Sequence, residues 1–412
     1  MSQFIENLKS ENAFLLYSGT TALYALLKSI GVGPGDEVIV QSFTCPAVPS
    51  PVVRRGATPV YVDIDQATFN MDPAKIADRI TNKTKVIIAQ HTFGIPADMD
   101  SILDIAREHN LWVIEDACHA FGSKYYGREV GTLGDAAIYS FGWYKPIVLG
   151  VGGAAIVNNP ILKQKMQEIC VDWVVPSLKE AFSLYLQYAV YAALYNPSRF
   201  WAMKEIYRRL RDFKSGPRKG KIGPLLFGHT WNGRTQSAHD VKSSQHATEE
   251  APESLYPSPL APAASDRREM PVRRIIPFQE RRLFGKLESW GEMVAHQKWI
   301  VAQYEESLSQ AGFAPLEIGK HVEPVFYKYP VLSDRKSEIF EKAQEMQIEM
   351  SDMFGSPLYP AERAANWRAL GYKKGMCPIA ERVSDKIVAL PVHAKVQARQ
   401  IERTVSLLAS FV

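Results

Sequence analysis

The chain has 412 residues, of which 46% are apolar and 22% are charged, and its formal net charge at pH 7 is +4. This composition is typical of a folded globular protein, and the length is enough for two packed units. The small net charge gives no sign of a nucleic-acid surface, so nucleic acid is not an expected partner.

The four cysteines are far apart in the sequence, at Cys45, Cys118, Cys170 and Cys377. This spacing argues against a zinc site and against a disulfide framework, and it favours a reducing compartment. The first residues lack the basic start and apolar core of a signal peptide. We therefore expect a cytoplasmic protein without a bound metal.

Residues 1–160 alternate between short β-branched runs and helical stretches. Strands are predicted at Glu37–Val40, Thr58–Val62, Val86–Ile88 and Leu111–Ile114, and helices at Ala22–Ile30, Pro73–Ile80 and Ser101–His109. The apolar runs do not alternate strictly, which is typical of strands buried on both faces. Strand and helix in turn predict βαβ units and a mainly parallel sheet.

The alternation of predicted strands and helices stops between residues 174 and 274. A stretch without charge, Ala181–Ser198, precedes a run rich in Lys and Arg that extends to Lys221, and a Pro- and Ser-rich segment follows. Helical periodicity returns at Pro277. Beyond it we predict strands at Val325–Val331 and Ile387–Leu390 and helices at Ser337–Met346 and Ala398–Ala409. We therefore divide the chain into an α/β domain at 1–175, an atypical insertion at 176–275 and an α+β domain at 276–412.

Lys145 is flanked by apolar and aromatic residues in the segment SFGWYKPIVLGVGG. Ser140 precedes it, and glycines follow. A lysine in such surroundings is either a surface residue whose stem covers a core strand or an amine held in a pocket. A desolvated lysine can form a Schiff base with an aldehyde, and a nearby hydroxyl with exposed amides can hold a phosphate.

Asp116 directly follows a predicted buried strand, at the edge of the sheet where ligands bind in open α/β folds. An Asp there can pair with a protonated pyridine nitrogen, although it can equally cap the next helix. His119 follows three residues later. The turn Ser18-Gly19-Thr20-Thr21 opens a helix, so it is either an ordinary N-cap or an anion site.

These three segments follow one another in order along one α/β domain: a phosphate-type turn, a strand-end Asp and a lysine preceded by Ser140. Together with the runs GVGPGDEVIV, GATPVYVDID, VIEDACHAFGSKYYG and, near the end, LPVH, they resemble the DegT/StrS family of sugar aminotransferases. That family is a branch of the fold-type I enzymes that depend on pyridoxal 5'-phosphate (PLP). The resemblance covers about Ser18 to Asn158, and more weakly Gln279 to the end of the chain.

The resemblance implies a large PLP-binding domain with a mainly parallel sheet flanked by helices, and a smaller C-terminal α+β domain. It also implies a homodimer with active sites at the subunit interface. The cofactor residues that it implies are Lys145 for the Schiff base and proton transfer, Asp116 for the pyridine nitrogen, His119 near the phenolic oxygen, and Ser140 with the amides of Gly19 and Thr20 for the phosphate.

Two positions differ from the family pattern. The family usually places an aromatic residue over the cofactor ring where this chain has Cys45, so stacking is either weaker or comes from another residue such as Phe43. The family also supplies an Asn to the partner subunit's phosphate. The alignment places Arg274 on the Arg of that motif but Val272 at the Asn position.

The reaction that the resemblance implies is transfer of an amino group from glutamate to a keto-sugar linked to a nucleotide, in the biosynthesis of cell-surface glycans or secondary-metabolite sugars. A second hypothesis is a PLP- or pyridoxamine-dependent sugar dehydratase, in which His is expected in place of Lys145. A third is a membrane-associated regulatory protein without catalysis. The retained set of Lys145, Asp116 and Ser140 favours the aminotransferase.

The apolar stretch and basic run at residues 181–221 have two interpretations. The stretch is Tyr- and Gln-rich and short for a transmembrane span. It is either a buried core helix or an interfacial helix that makes a peripheral contact with an anionic membrane.

Overall fold

The computed structural model describes residues 3–143, 145–171, 173–194, 270–360 and 364–412. Of the inserted segment predicted at 176–275, residues 195–269 lie outside these ranges, and so does the whole of its basic run. All statements of fold and contact below refer to the described residues.

A seven-stranded sheet forms the centre of the larger part of the molecule, with the strand order β1-β9-β8-β5-β4-β2-β3. The strands of the chain are β1 (Ala13–Leu16), β2 (Glu37–Gln41), β3 (Thr58–Val62), β4 (Thr84–Gln90), β5 (Trp112–Asp116), β6 (Lys124–Tyr125), β7 (Arg128–Glu129), β8 (Ala136–Ser140), β9 (Gly153–Val157), β10 (Val322–Glu323), β11 (Lys328–Leu332) and β12 (Ile387–Pro391). Strands β3, β2, β4, β5 and β8 run parallel, whereas β9 is antiparallel to β8 and β1. The five parallel strands therefore end at one common edge.

Helices cover the sheet and build most of the C-terminal part. They are α1 (Gln3–Lys9), α2 (Gly19–Ile30), α3 (Pro49–Arg54), α4 (Met99–Glu108), α5 (Pro160–Cys170), α6 (Leu178–Leu194), α7 (Pro277–Glu288), α8 (Trp290–Gln310), α9 (Lys336–Glu345), α10 (Ala364–Ala369), α11 (Pro378–Lys386) and α12 (Ala398–Ala409). The C-terminal part also contains the antiparallel pair β11–β12, and β10 joins β6 and β7 in a small sheet.

The central strands and α2 are apolar because they are covered on both sides. Val38, Ile39 and Val40 of β2 are fully buried, and so are Leu23 and Leu27 of α2. The largest apolar cluster continues without a break into the C-terminal part, where it includes residues of α8, β12 and α12. The two parts of the chain thus share one core, which fixes the C-terminal part against the sheet edge.

The predicted mainly parallel sheet with flanking helices is confirmed, and so are the strands β2, β3, β4 and β5. The predicted helix at Pro73–Ile80 is wrong. Two 3-10 turns, Pro73–Lys75 and Ala77–Arg79, replace it. Ile76 is the one fully buried side chain in this short stretch, so a full helix would have no second apolar turn to bury.

Candidate cofactor site

Two of the predicted residues end neighbouring parallel strands. Asp116 is the last residue of β5 and Ser140 the last of β8, and Asp116 is paired with Ile138 in the register of the two strands. Because parallel strands end at one edge, both side chains lie at the carboxyl edge of the sheet. Asp116 is buried, with 6% of its surface exposed.

The N-terminus of α2 meets the same edge. A Cβ atom on Gly19 would lie 3.1 Å from the Cβ of Ser140 and 3.2 Å from the carbonyl oxygen of Tyr139. A Cβ on Gly153 would lie 2.3 Å from the backbone nitrogen of Gly19. Glycine at these two positions therefore allows the helix to abut the end of β8.

This contact leaves free donors at the start of α2. The Ser18 side chain accepts a hydrogen bond from the Thr21 amide at 3.1 Å, and the Ala22 amide donates to the Ser18 carbonyl at 3.0 Å. The amides of Gly19 and Thr20 come before the first intrahelical acceptor, so the helix itself cannot satisfy them. The two amides and the positive end of the helix dipole thus lie beside the Ser140 side chain, an arrangement that suits an anion, and we call this place the anion-binding corner.

Lys145 lies in the loop that connects β8 to β9. Its amide donates to the Gly142 carbonyl at 3.2 Å, and the loop closes through Leu149, whose amide donates to the Phe141 carbonyl at 2.8 Å. The side chain is half-buried, and its Nζ atom lies 5.8 Å from the centre of the Tyr327 ring, within the range of a cation–π contact. Both neighbours of the loop, Ser140 and Gly153, are residues of the anion-binding corner.

The charges of Asp116 and Lys145 act on the same two thiols, those of buried Cys118 and half-buried Cys45. Burial raises the pKa of Cys118 well above its usual range, Asp116 raises it further, and Lys145 opposes this change. The Cys118 amide also donates to Oδ1 of Asp116 at 3.1 Å. Burial likewise raises the pKa of Cys45, and the same two charges reach it. The predicted residues Cys45, Asp116 and Lys145 are therefore close enough to interact electrostatically.

His119 is buried between the sheet edge and the C-terminal part. Its ring stacks on Tyr327, with 4.8 Å between centroids and an interplanar angle of 21°. Burial lowers the pKa of His119 well below its ordinary value, and the positive charge of Lys145 lowers it further. Within the described residues the Nδ1 atom of His119 has no hydrogen-bond partner. A buried neutral imidazole with an unsatisfied nitrogen favours a polar ligand at this place.

Phe43, the suggested replacement for the missing aromatic residue, has its ring committed to the core. It is fully buried, lies 4.8 Å from Phe354 between ring centroids, and also contacts Phe69 and Phe93. Its backbone has a φ of 63°, and the next residue, Thr44, pairs with Leu358 in an isolated bridge. The aromatic ring that lies beneath the Nζ atom of Lys145 is that of Tyr327.

The segment of Val272 and Arg274 lies beside β1. Val272 is buried, Arg274 forms an isolated bridge with Leu16, and its guanidinium lies over Trp173 at 5.5 Å. Arg274 also forms an ion pair with Glu280 at 3.7 Å. These contacts give the two residues a role within the chain, and the contact with a partner's phosphate stays a prediction.

Sequence reasoning missed two residues of the site. Tyr327 belongs to the C-terminal part, where its position in a predicted strand gave no sign of contact with His119. Cys118 is an isolated cysteine in the sequence, although its place two residues after Asp116 indicates that it lies near the site.

The end of β5 is held by Glu115. Its carboxylate accepts hydrogen bonds from the amides of Gly131, Leu133 and Gly134 and pairs with His91 at 3.1 Å. This network fixes the end of β5.

The residues at this edge fit PLP. The amides of Gly19 and Thr20 with Ser140 suit its phosphate, the Asp116 carboxylate suits a protonated ring nitrogen, and Lys145 supplies the amine for its aldehyde. The unpartnered Nδ1 atom of buried His119 is the observation that calls for a ligand atom here.

Comparison with known structures defines the class of fold. The chain superimposes on S. venezuelae DesV with a TM-score of 0.69 and 21% identity, covering 99% of this chain and 86% of that one. It superimposes on the PLP form of Spr1654 from Streptococcus pneumoniae with a TM-score of 0.67 and 20% identity, covering 100% and 90% of the two chains. The fold is that of the fold-type I PLP-dependent transferases, as predicted.

The profile of the DegT/DnrJ/EryC1/StrS aminotransferase family matches residues 2–181 and 282–409. The chain belongs to this family. Residues 182–281 fall between the two matched parts, so the unusual segment of the sequence is also where the family match is interrupted.

Two curated relatives show how far the similarity extends. The GDP-perosamine synthase of Caulobacter vibrioides is 48% identical over 157 residues, which are 38% of this chain and 42% of the relative. The chain thus aligns with about two fifths of that enzyme's length. The pleiotropic regulatory protein of Geobacillus stearothermophilus is 29% identical over 395 residues, covering 96% of this chain and 83% of the relative.

Proposed function

We propose that this protein is a PLP-dependent aminotransferase that transfers an amino group to a keto-sugar carried on a nucleotide. The observation that carries the proposal is the convergence of Lys145, Asp116, His119 and the α2 anion corner at one edge of the sheet. When bound, PLP supplies the electron sink that makes a C–H bond next to the amine acidic.

The anion corner sets the position of the cofactor. Ser140 and the amides of Gly19 and Thr20 hold the phosphate, and the helix dipole favours its negative charge. The Cys118 amide donates to one carboxylate oxygen of Asp116 and restrains this side chain, which would pair with the ring nitrogen. A buried carboxylate in this place keeps that nitrogen protonated.

Lys145 performs the proton transfers. Its amine would hold the cofactor's aldehyde until the amino donor takes that place. The Nζ atom would then carry a proton from the donor's α-carbon to the cofactor in the first half of the reaction, and a proton from the cofactor to the acceptor carbon in the second half. Tyr327 lies over the Nζ atom and the His119 ring, and burial together with the positive charge of Lys145 lowers the pKa of His119. His119 then offers a neutral ring nitrogen to the phenolic oxygen of the cofactor.

The choice of substrate class rests on the relatives. They include GDP-perosamine synthases and a UDP-N-acetyl-3-dehydro-alpha-D-glucosamine 3-aminotransferase, whose names specify nucleotide-linked sugars. We propose glutamate as the amino donor and glycan or secondary-metabolite biosynthesis as the setting. The dehydratase alternative is disfavoured because Lys145 is present, and the regulatory alternative because the cofactor residues converge.

The test is the half-reaction with glutamate. Purified protein mixed with PLP is expected to gain the visible absorbance of the bound cofactor, and glutamate is expected to convert it to the pyridoxamine form. Lys145→Ala is expected to lose both the absorbance and turnover, since the variant lacks the amine that is proposed to bind the cofactor's aldehyde. Lys163→Ala, an exchange of a lysine on α5, serves as the control and is expected to behave as the wild type.

Retention of normal turnover by Lys145→Ala would contradict the assignment. Absence of any cofactor uptake by the wild-type protein would instead favour the regulatory alternative.

We also propose a homodimer, on the ground of family resemblance, and a cytoplasmic location, on the ground of the four scattered cysteines. Light scattering of the PLP-loaded protein tests the dimer, and a monomer at all concentrations would contradict it.

A further inference from the structure

The loop that carries Lys145 is closed at its base by the backbone. Gly142 and Gly150 form an isolated bridge across it, and the Leu149 amide donates to the Phe141 carbonyl at 2.8 Å. The Lys145 amide donates to the Gly142 carbonyl at 3.2 Å. The position of Lys145 therefore depends on the side chains that pack against this base.

Trp143 packs across the base of the loop. A Cβ atom on Gly150 would lie 2.9 Å from Cζ2 of the Trp143 ring, and Gly150 has a φ of 89°. The indole ring thus lies directly against the backbone on the opposite side of the loop, two residues before Lys145 in the sequence. A movement of this ring would separate the two sides of the loop and let the backbone at Lys145 shift.

The Trp143 ring also contacts α6. The Tyr188 ring of that helix stacks on it, with 6.5 Å between centroids and an interplanar angle of 25°. Offset stacking of aromatic rings is favourable at centroid distances up to about 7 Å. Tyr188 is buried, with 8% of its surface exposed. The helix therefore reaches the Lys145 loop through a buried aromatic side chain.

Tyr188 is itself fixed by α7. Its hydroxyl accepts a hydrogen bond from Arg282 at 2.9 Å, and the guanidinium carbon of Arg282 lies 4.2 Å from the centre of the Tyr188 ring. The Phe278 ring meets the Tyr188 ring edge-on, with 6.1 Å between centroids. Because a buried hydroxyl without a partner is costly, the bond from Arg282 allows tyrosine to occupy this place.

The same helix holds the far side of the loop. Buried Gln279 of α7 donates from its side-chain amide to the Val151 carbonyl at 2.5 Å. Val151 directly follows Gly150 in the sequence. Helix α7 thus holds the loop directly at Val151, and at Trp143 through Tyr188.

Tyr188 lies in the part of the chain where the family match is interrupted, between residues 181 and 282. This part of α6 is therefore outside the family pattern, yet it contacts the loop of the proposed cofactor lysine. Among the described helices none is long and apolar enough to span a bilayer. A peripheral contact of the segment with a membrane stays a prediction.

We propose that α6 is a positioning element for Lys145. The Tyr188 ring holds Trp143 against Gly150 and thereby keeps the Lys145 amine in place for the aldehyde of PLP. An amine on a loop that moves spends less time in the reactive geometry, so loss of the Tyr188 ring weakens PLP uptake. The inference rests on the proposed function, and Tyr188 is a positioning residue because it acts through Trp143.

The first measurement uses the cofactor-free protein. Hydrogen–deuterium exchange of the peptide that contains Lys145 and Leu149 reports how often their amide hydrogen bonds open. In Tyr188→Ala this peptide is expected to exchange at least about tenfold faster than in the wild type, because Trp143 has lost its stacking partner. Tyr188→Leu, which keeps apolar volume without an aromatic ring, is expected to change in the same direction. Tyr188→Phe keeps the ring and is expected to exchange like the wild type.

The second measurement is titration with PLP, followed by the absorbance of the bound cofactor. Tyr188→Ala is expected to require at least about tenfold more PLP for half-saturation, and Tyr188→Phe about as much as the wild type. The matched control is Tyr185→Ala, which removes a second tyrosine of α6 whose ring contacts Phe278 at 5.1 Å. This control is expected to behave as the wild type in both measurements.

Equal exchange and equal PLP affinity in Tyr188→Ala and Tyr185→Ala would overturn the inference. So would a Tyr188→Phe variant that behaves like Tyr188→Ala, because the ring would then not be what holds the loop. Faster exchange in Tyr188→Ala with unchanged PLP affinity would also overturn it. Wild-type protein that takes up no PLP would contradict the proposed function and this inference together, whereas wild-type uptake with unchanged Tyr188 variants would contradict this inference alone.

Discussion

Gly153 lies where β9, β8 and the N-terminus of α2 meet. A side chain there would collide with the backbone of Ser18 and Gly19, each with an atom 2.3 Å from the added Cβ. The glycine is required by close approach of two backbones, since its φ is not in the left-handed region. The anion-binding corner thus depends on a residue that has no side chain.

We predict that Gly153→Ala weakens PLP binding by roughly tenfold or more, because α2 has to move away from Ser140. The free energy of unfolding is expected to fall by about 2 kcal/mol, as in other overpacked sites. Titration of the cofactor absorbance and urea unfolding measure the two effects. Gly33→Ala is the control, since a Cβ there meets no atom within 4 Å. Unchanged affinity in Gly153→Ala would show that the contact does not matter for the phosphate.

His119 gives the cofactor-free protein a specific pH dependence. Its folded-state pKa is lowered, so between that value and the ordinary value of about 6.5 the unfolded chain binds a proton that the native chain does not. Stability is therefore full above the ordinary pKa and falls as the pH falls through this window, by up to about 1.4 kcal/mol per pH unit.

We predict that His119→Gln flattens this part of the curve of unfolding free energy against pH. The measurement is urea unfolding of the cofactor-free protein at several pH values, with the exposed His109→Gln as control. If both variants keep the wild-type slope, burial of His119 does not control the acid sensitivity.

At the scale of elements, α11 is capped from a distant strand. The carboxylate of Asp63, which follows β3, accepts hydrogen bonds from the amides of Ile379 and Ala380 at 2.9 Å each. The residue before α11, Cys377, makes no side-chain cap. Asp63, which directly follows β3, therefore supplies the side-chain cap that Cys377 does not provide.

We predict that Asp63→Ala lowers the free energy of unfolding by about 1 to 2 kcal/mol, as expected for loss of a helix cap. Asp63→Asn is expected to lose less, because the amide oxygen can still accept a hydrogen bond. Chemical denaturation of the two variants measures the difference. An equal loss in both would mean that the negative charge, rather than the acceptor, stabilises the helix start.

Local patterns predicted most elements well. Runs of β-branched residues identified β2, β3, β4 and β5, and the helix over Ala398–Ala409 has the predicted bounds. The patterns failed at residues 73–80. Ile76 is the one fully buried side chain there, and two 3-10 turns form in place of a helix. They also placed the start of β11 too early, because the Val325 and Tyr327 amides bind Ser123 and Phe93 rather than a neighbouring strand.

At the scale of the whole molecule, one apolar cluster joins the sheet and the C-terminal part. Leu23 of α2, Tyr304 of α8 and Leu408 of α12 belong to it, and all are buried. The Tyr61 hydroxyl adds a hydrogen bond to the Leu370 carbonyl at 2.8 Å. The division into domains at residues 175 and 275 stays a prediction, and the N-terminal and C-terminal parts share one core.

We predict that the described parts unfold in a single cooperative transition, since neither part can keep its core without the other. Far-UV and near-UV circular dichroism in urea are expected to give the same midpoint for the cofactor-free protein. Two separate midpoints would show instead that the N-terminal and C-terminal parts are independently stable.

The sequence by itself determined the chemical groups of the site and their order: Gly19 and Thr20, then Asp116 and His119, then Ser140 and Lys145. It could do so because each lies in a local pattern, at a helix start or a strand end. Only the tertiary structure decided that Tyr327 lies against His119 and that Phe43 turns into the core. These features depend on which distant residues meet when the chain folds, and a local pattern does not contain that information.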